Sequence, residues 1–85
     1  MLPFREVKSD IRSGYDYMEY EKKWYGFETT TIISSRFQTV VIHLRDKHGS
    51  TSFEFRYVDF LALSYTEYIG YIDSNIYYNL VLEAN

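Results

Sequence analysis

The stretch Arg36–Val58, with the sequence RFQTVVIHLRDKHGSTSFEFRYV, determines the fold of this 85-residue chain. Apolar side chains alternate along both of its halves, and alternation with a period of two is typical of β-strands. Residues 47–49 (Lys-His-Gly) separate the halves, and the glycine suits a tight hairpin turn. The stretch therefore predicts two antiparallel strands, over residues 36–46 and 50–58.

A third strand is predicted directly before this hairpin. Residues 27–34 (FETTTIIS) are rich in β-branched side chains, which favour extended structure. The pair Ser34-Ser35 provides a turn into the next strand. Residues 27–58 are thus expected to form a three-stranded antiparallel sheet.

The segments before the sheet are expected to be an N-terminal arm (residues 1–12) and a helix (residues 13–26). Ser13 suits the N-terminal end of a helix and Gly26 suits its C-terminal end. Between them the acidic residues come first and the lysines last, which is the order that the helix dipole favours. The rival interpretation is a strand, because Tyr15–Tyr20 is rich in residues that suit sheets.

The last segment, residues 59–85, is expected to be an acidic, tyrosine-rich helical tail. Its apolar residues recur at helical spacing, but Gly70 and the cluster 73–75 (Asp-Ser-Asn) argue against one unbroken helix. Two short helices are the preferred interpretation, with Ser74 as the cap of the second. A hairpin that turns at residues 73–75 is the alternative.

Together these segments predict a single α+β domain. Its three-stranded antiparallel sheet is flanked by an N-terminal helix and by one or two C-terminal helices. The alternative is a mostly-β fold with hairpins at both ends. Aromatic residues make up 20% of the chain, and each buried ring removes a large area from water, so a small core is adequate.

The charge of the chain is unevenly distributed and indicates the kind of partner. The net charge is −3, yet the segment after Arg56 has four carboxylates and no lysine or arginine. Such a segment repels a phosphate backbone. Direct nucleic-acid binding is therefore disfavoured, and the expected partner is a protein with a basic surface.

The residues that usually carry catalysis or bind metals form no recognisable motif. The chain has no cysteine, and the spacing of His43 and His48 matches no standard zinc site. A phosphate-binding loop and a nucleophile elbow are also absent from the sequence. We therefore expect a protein that is not an enzyme and that uses no cofactor or metal.

The sequence also indicates where the protein works. Residues 1–12 carry five charges, unlike the apolar core of a signal peptide, and no apolar run is long enough to span a bilayer. We expect a cytoplasmic protein with no membrane partner.

One alternative function concerns the strand that contains Phe53, Phe55 and Tyr57. Alternating aromatic rings beside Arg56 resemble the strand of an RNA-binding sheet on which bases stack. Single-strand nucleic-acid binding is therefore kept as an alternative. A homodimer built by the tyrosine-rich tail is another.

The preferred hypothesis is a protein-binding surface made of tyrosines and carboxylates. Tyrosine offers a large, rigid contact area with a polar tip, and it is enriched at protein interfaces. The expected partner-binding residues are Tyr15, Asp16, Glu19, Tyr20, Glu67, Tyr71, Asp73, Tyr77 and Tyr78.

A family resemblance rests on the same surface character. Asp16, Glu19 and Glu21 are interleaved with tyrosines, as are Glu67 and Asp73 in the tail. With its size and predicted architecture, the chain resembles small phage-encoded inhibitors of host defence, among them anti-CRISPR proteins. The resemblance implies a non-enzymatic inhibitor, encoded by a phage or mobile element, that blocks a basic nucleic-acid-handling host protein such as a CRISPR effector nuclease.

Overall fold

The helices and strands come from a computed structural model that describes residues 2–82. In chain order they are α1 (Phe4–Ser13), β1 (Tyr17–Trp24), β2 (Phe27–Ser34), β3 (Thr39–Asp46), β4 (Gly49–Arg56), α2 (Tyr57–Ala62), α3 (Tyr65–Ile76) and a π-helical turn (Tyr77–Val81), called the π turn below. The predicted α+β fold is confirmed. The sheet has four strands where three were predicted, because β1 was taken for a helix.

The four strands form one antiparallel sheet in the order β1-β2-β3-β4. Its covered face, on which the helices pack, contains fully buried side chains such as Ile33, Val40 and Ile42. The opposite face, called the open face, is polar except for the half-buried neighbours Ile32 and Val41. The strand alternation in β2, β3 and β4 was thus predicted correctly, but the predicted strands were too long, because residues 36–38 belong to a turn and residues 57–58 begin α2.

The predicted helix over residues 13–26 is wrong. Ser13 ends α1, and Gly14 caps this helix in the left-handed conformation with a φ of 76°. Tyr25 (φ 48°) and Gly26 (φ 85°) form the hairpin turn between β1 and β2, since a type I′ turn requires positive φ at both positions. Pairing with β2 along all of β1 overrides the helix-like charge order of this segment.

The segment predicted as an N-terminal arm contains α1, which packs through one apolar edge. Phe4 and Val7 are buried, and the ring centroids of Phe4 and of Tyr68 in α3 are 4.9 Å apart. Lys8 Nζ donates a hydrogen bond of 2.6 Å to the carbonyl of Leu63. The N-terminal helix is thereby joined to the connection between α2 and α3.

The C-terminal segment is helical as predicted, but its break lies elsewhere. The break falls at Leu63 and Ser64, whereas residues 73–75 lie inside α3 and Ser74 caps nothing. Tyr68, Ile72 and Ile76 are buried along one side of α3, and this burial outweighs the modest helix-breaking tendency of the glycine and the polar cluster. Among residues 2–82, no helix has the length and apolar character to cross a bilayer.

Candidate protein-binding surface

The start of α3 is fixed by a reciprocal pair of hydrogen bonds between Ser64 and Glu67. The Glu67 backbone N–H donates to Ser64 Oγ at 3.1 Å, and the Ser64 backbone N–H donates to Glu67 Oε1 at 2.9 Å. The bonds from Ser64, chiefly that of its backbone N–H, lower the pKa of the Glu67 carboxyl. Glu67 is therefore both a charge on the surface and part of the helix cap.

Exposed residues recur along one side of α3. Glu67, Tyr71, Ser74 and Tyr78 follow one another at intervals of four, three and four residues, and all are exposed. Positions at this spacing share one face of a helix. With the neighbouring Tyr77, these residues form a surface that we call the tyrosine face.

The π turn carries the two outermost rings of the tyrosine face. The Leu82 N–H donates to the Tyr77 carbonyl at 2.7 Å, five residues back, which is the hydrogen bond of a π-helix. The rings of Tyr77 and Tyr78 meet edge to face with centroids 5.0 Å apart. Leu80 of the same turn is buried beside Gly49, so the turn is anchored while its tyrosines stay exposed.

Tyr71 is held by packing at the border of the tyrosine face. Its ring stands perpendicular to that of Phe55 in β4, with centroids 5.0 Å apart, yet 49% of the residue remains exposed. The shallow depression beside it is lined by Glu67, Gly70 and Ser74, and a Cβ added at Gly70 would meet no atom within 4 Å. A flat recess next to a fixed aromatic ring can receive a side chain of a partner protein.

Asp73 lies on the other side of α3 and has a partner inside the protein. Its Oδ1 accepts a hydrogen bond of 2.9 Å from Trp24 Nε1 in β1. Residues 71 and 73 are about 200° apart around a helix, because each residue turns it by about 100°. Asp73 therefore joins the helix layer to the sheet and is not part of the tyrosine face.

The four predicted site residues before β2 lie away from the tyrosine face. Tyr20 points to the covered face, where its hydroxyl donates to the buried Asp10 carboxylate. Burial, followed by this hydrogen bond, raises the pKa of Tyr20 to about 12. Glu19 lies on the open face and accepts a hydrogen bond of 2.8 Å from the Tyr17 hydroxyl.

Tyr15 and Asp16 belong to the connection between α1 and β1. The Asp16 carbonyl accepts the Ser35 N–H at 3.0 Å, and its Oδ1 accepts the Ser35 hydroxyl at 3.2 Å. Asp16 thus ties this connection to the turn after β2, and Tyr15 stands exposed beside it. Of the nine predicted residues, the structure brings together Glu67, Tyr71, Tyr77 and Tyr78.

The aromatic residues proposed for base stacking are turned toward the helices. Phe55 and Tyr57 are buried, and Phe53 is half-buried in the same core cluster. The ring of Phe55 lies 5.7 Å from that of Phe60 in α2. The alternative of base stacking on these rings therefore finds no accessible aromatic surface at Phe55 and Tyr57.

Two arginines beside these strands are already paired with carboxylates. Arg45 Nε lies 2.8 Å from Glu28 Oε2 on the open face, and Arg56 Nε lies 2.7 Å from Asp59 Oδ2. The hydrogen bond from Arg56 lowers the pKa of the Asp59 carboxyl. Because these pairs are exposed, they add little stability, but they offset the positive charge that a phosphate backbone would need.

Metal-ligating side chains and buried polar atoms bear on whether the described residues can support chemistry. Across residues 2–82, no group of three or more His, Cys, Asp or Glu side chains is arranged to hold a metal ion. Inside this range the buried hydroxyl of Tyr57 has no hydrogen-bond partner, whereas the buried hydroxyl of Tyr68 interacts with the side chain of Thr31. Both are phenols within the aromatic core, and burial raises the pKa of each.

Comparison with protein-family models, with curated proteins and with solved structures finds no match. The resemblance to phage-encoded inhibitors therefore stays a prediction. The functional argument rests on the geometry of the tyrosine face.

Proposed function

We propose that the protein binds a basic surface of another protein through the tyrosine face. One observation carries the proposal: Tyr71 and Tyr78 are about half exposed on one face of the helix, and Tyr77 is equally exposed with its ring against that of Tyr78, while α3 and the π turn contain no lysine or arginine. Exposed tyrosines grouped in this way are typical of protein-binding surfaces. The lack of cations favours a positively charged partner.

The tyrosines are held in place before any partner arrives. Tyr71 is fixed against Phe55, and Tyr77 and Tyr78 are fixed against each other. Ordering a side chain at an interface costs about 0.5–1.5 kcal/mol. Rings that are already ordered avoid much of this cost, so a small surface can still bind tightly.

The proposed partner is a basic protein that handles nucleic acid, and the proposed effect is inhibition. A carboxylate-bearing surface competes with phosphates for the same cationic cleft. An anti-CRISPR-like action on an effector nuclease is the specific form that the family resemblance implies. The protein would act in a fixed ratio to its target, without chemistry of its own.

The tyrosines can be tested with a matched control at an exposed tyrosine outside the tyrosine face. Immobilised wild-type protein should retain a basic protein from an extract of the host cell, identified by mass spectrometry. The pair Tyr71→Ser and Tyr78→Ser should weaken its binding at least tenfold when the purified partner is titrated calorimetrically. Tyr25→Asn, which removes an 83% exposed tyrosine from the β1–β2 turn, should leave the affinity unchanged.

The charge contribution needs a substitution that keeps the helix cap. Glu67→Lys would break the Ser64 bonds as well as reverse the charge, whereas Glu67→Gln retains the cap. Glu67→Gln should lower the association rate and its dependence on salt. Equal binding by the Tyr71→Ser, Tyr78→Ser variant and the wild type would refute the proposal. So would retention of single-stranded nucleic acid in place of a basic protein.

A further inference from the structure

The outer edge of β1 is an unpaired strand edge. The turn at Tyr25 and Gly26 closes on the pair Trp24 and Phe27, so the even-numbered residues of β1 exchange hydrogen bonds with β2. The backbone N–H and C=O groups of the odd-numbered residues therefore point away from the sheet. These residues are Tyr17, Glu19, Glu21 and Lys23.

Nothing in the described part of the chain covers this edge. Across residues 2–82, no backbone hydrogen bond joins Glu19, Glu21 or Lys23 to another element, and β1 is the end strand of the sheet. All eight residues of β1 are in strand conformation. A long edge with free donors and acceptors is a template for another strand.

The order of charges along β1 identifies the strand that fits. Along β1 from its N-terminal to its C-terminal end, Glu19 and Glu21 come before Lys22 and Lys23. When such a strand meets a second copy of itself in antiparallel orientation, the acidic part of each lies against the basic part of the other. Charged edge strands usually resist pairing, but this order is complementary to itself.

We propose that two copies of the protein pair antiparallel through their β1 edges, with Glu21 on the two-fold axis. Each Glu19 then lies directly opposite Lys23 of the second copy, on the open face. The three facing pairs of odd-numbered residues exchange two hydrogen bonds each, about six in all. Two four-stranded sheets become one continuous sheet, and both helix layers lie on the same side.

Charge disfavours one neighbouring register and hydrogen bonding disfavours the other. Centring the axis on Tyr20 would join four facing pairs of free backbone groups, but it would place Glu19 against Glu21 of the second copy, twice, and like charges directly opposite destabilise a sheet. Centring it on Lys22 would retain only two facing pairs of free backbone groups. The Glu21 register has three such pairs. Two of them place Glu19 opposite Lys23, which is favourable, and the third places the two copies of Glu21 opposite each other, which is unfavourable.

The covered face also gains contacts in this register. Met18 lies opposite Trp24 of the second copy, and thioether–aromatic contacts are favourable. Tyr20 lies opposite Lys22, whose ammonium group can approach the ring. Met18, Tyr20 and Trp24 are half-buried in the single chain, so pairing would remove further apolar surface from water.

The other end strand of the sheet, β4, fits a second copy less well. Its outward-pointing residues are Ser50, Ser52, Glu54 and Arg56 by the same alternation. Arg56, the cation among them, is held by Asp59 of its own chain. This strand therefore supplies a matched negative control with the same backbone geometry.

Proline at an outward-pointing position tests the hydrogen bonds of the edge. Glu21→Pro removes one outward N–H and leaves the ladder with β2 intact, since proline is tolerated at such sites of edge strands. Light scattering during size-exclusion chromatography, over a range of protein concentrations, should show a dimer for the wild type. Glu21→Pro should be monomeric, and Ser52→Pro on β4 should dimerise like the wild type.

A charge swap tests the register without proline. Glu19→Lys and Lys23→Glu should each weaken the dimer at least tenfold, because each places like charges opposite one another twice. The double variant restores both opposite-charge contacts and the wild-type net charge, so it should dimerise nearly as well as the wild type. Circular dichroism of each variant shows whether the sheet is retained.

Two results would overturn the proposal. The first is a wild-type protein that stays monomeric at high micromolar concentration. The second is a dimer that tolerates Glu21→Pro and both single charge reversals. Because β1 contributes no residue to the tyrosine face, partner binding and dimerisation can fail separately: Tyr71→Ser with Tyr78→Ser should leave the dimer unchanged.

Discussion

Tyrosine hydroxyls in this protein differ in what they bond to, and Tyr20 and Tyr17 show the contrast within one strand. The Tyr20 hydroxyl donates to the buried carboxylate of Asp10, which links β1 to α1. The Tyr17 hydroxyl donates to the exposed Glu19 on the open face. The same chemical group therefore contributes to stability at one position and little at the other.

Tyr20→Phe should lower the free energy of unfolding by about 1–3 kcal/mol, because it leaves a buried carboxylate without its donor. Tyr17→Phe should change it by less than about 0.5 kcal/mol, as surface changes usually do. Urea unfolding followed by circular dichroism measures both. Equal losses in the two variants would show that the Asp10 bond has no special role.

At the scale of single elements, α3 has one residue that stabilises the helix and one that destabilises it. Ser64 caps the helix, and Gly70 lies in its exposed middle, where an added Cβ would meet no atom within 4 Å. Glycine in a helix interior is less favourable than alanine. A substitution at Gly70 can therefore stabilise α3, whereas a substitution at Ser64 can destabilise it.

Gly70→Ala should raise the free energy of unfolding by about 0.5–1 kcal/mol, and Ser64→Ala should lower it by about 0.5–2 kcal/mol. A change of 1 kcal/mol corresponds to about 4–8 °C in Tm for a chain of this size. Differential scanning calorimetry of both variants checks the opposite signs. A lower Tm for Gly70→Ala would mean that the glycine has a role in packing.

The elements also differ in how well their sequence predicts them. β2, β3 and β4 were predictable because alternation is a local signal. β1 was not, because its acids and lysines follow the order that suits a helix, and only pairing with β2 decides between the two. The cap formed by Ser64 and Glu67 is present in the sequence as the pattern Ser-x-x-Glu. The break was instead predicted at residues 73–75, because Gly70 and the polar cluster disfavour a continuous helix.

The candidate site was predictable to the extent that it depends on one helix. Glu67, Tyr71 and Tyr78 share a face at simple helical spacing, which the sequence shows. Tyr20 and Asp73 were wrongly grouped with them, because their partners Asp10 and Trp24 are distant in the sequence. Contacts of this kind follow from the fold and not from a local pattern.

At the scale of the whole molecule, buried phenols make stability depend on alkaline pH. The pKa of Tyr20 is raised to about 12, and burial raises the pKa of Tyr57 and Tyr68 as well. In the unfolded chain these groups ionise near pH 10. As the pH rises above that value, the unfolded state loses protons first and is stabilised relative to the folded state.

The free energy of unfolding should therefore be level between about pH 7 and 9 and fall between about pH 10 and 12. Each tyrosine that ionises only in the unfolded state adds a slope of about 1.4 kcal/mol per pH unit. Urea unfolding at a series of pH values measures this, and Tyr20→Phe should show a shallower decline. A profile identical to that of the wild type would mean that Tyr20 titrates normally in the fold.

The hydrogen bond between Trp24 and Asp73 makes the fluorescence of Trp24 sensitive to the contact between α3 and the sheet. Trp24 is the single tryptophan of the chain, its ring meets that of Tyr25 at 4.6 Å, and its indole N–H bonds to α3. Light absorbed by the ten tyrosines can pass to this one indole. The Trp24 emission should therefore change when the helix layer leaves the sheet, and also when another strand approaches β1. Neither measurement needs an added label.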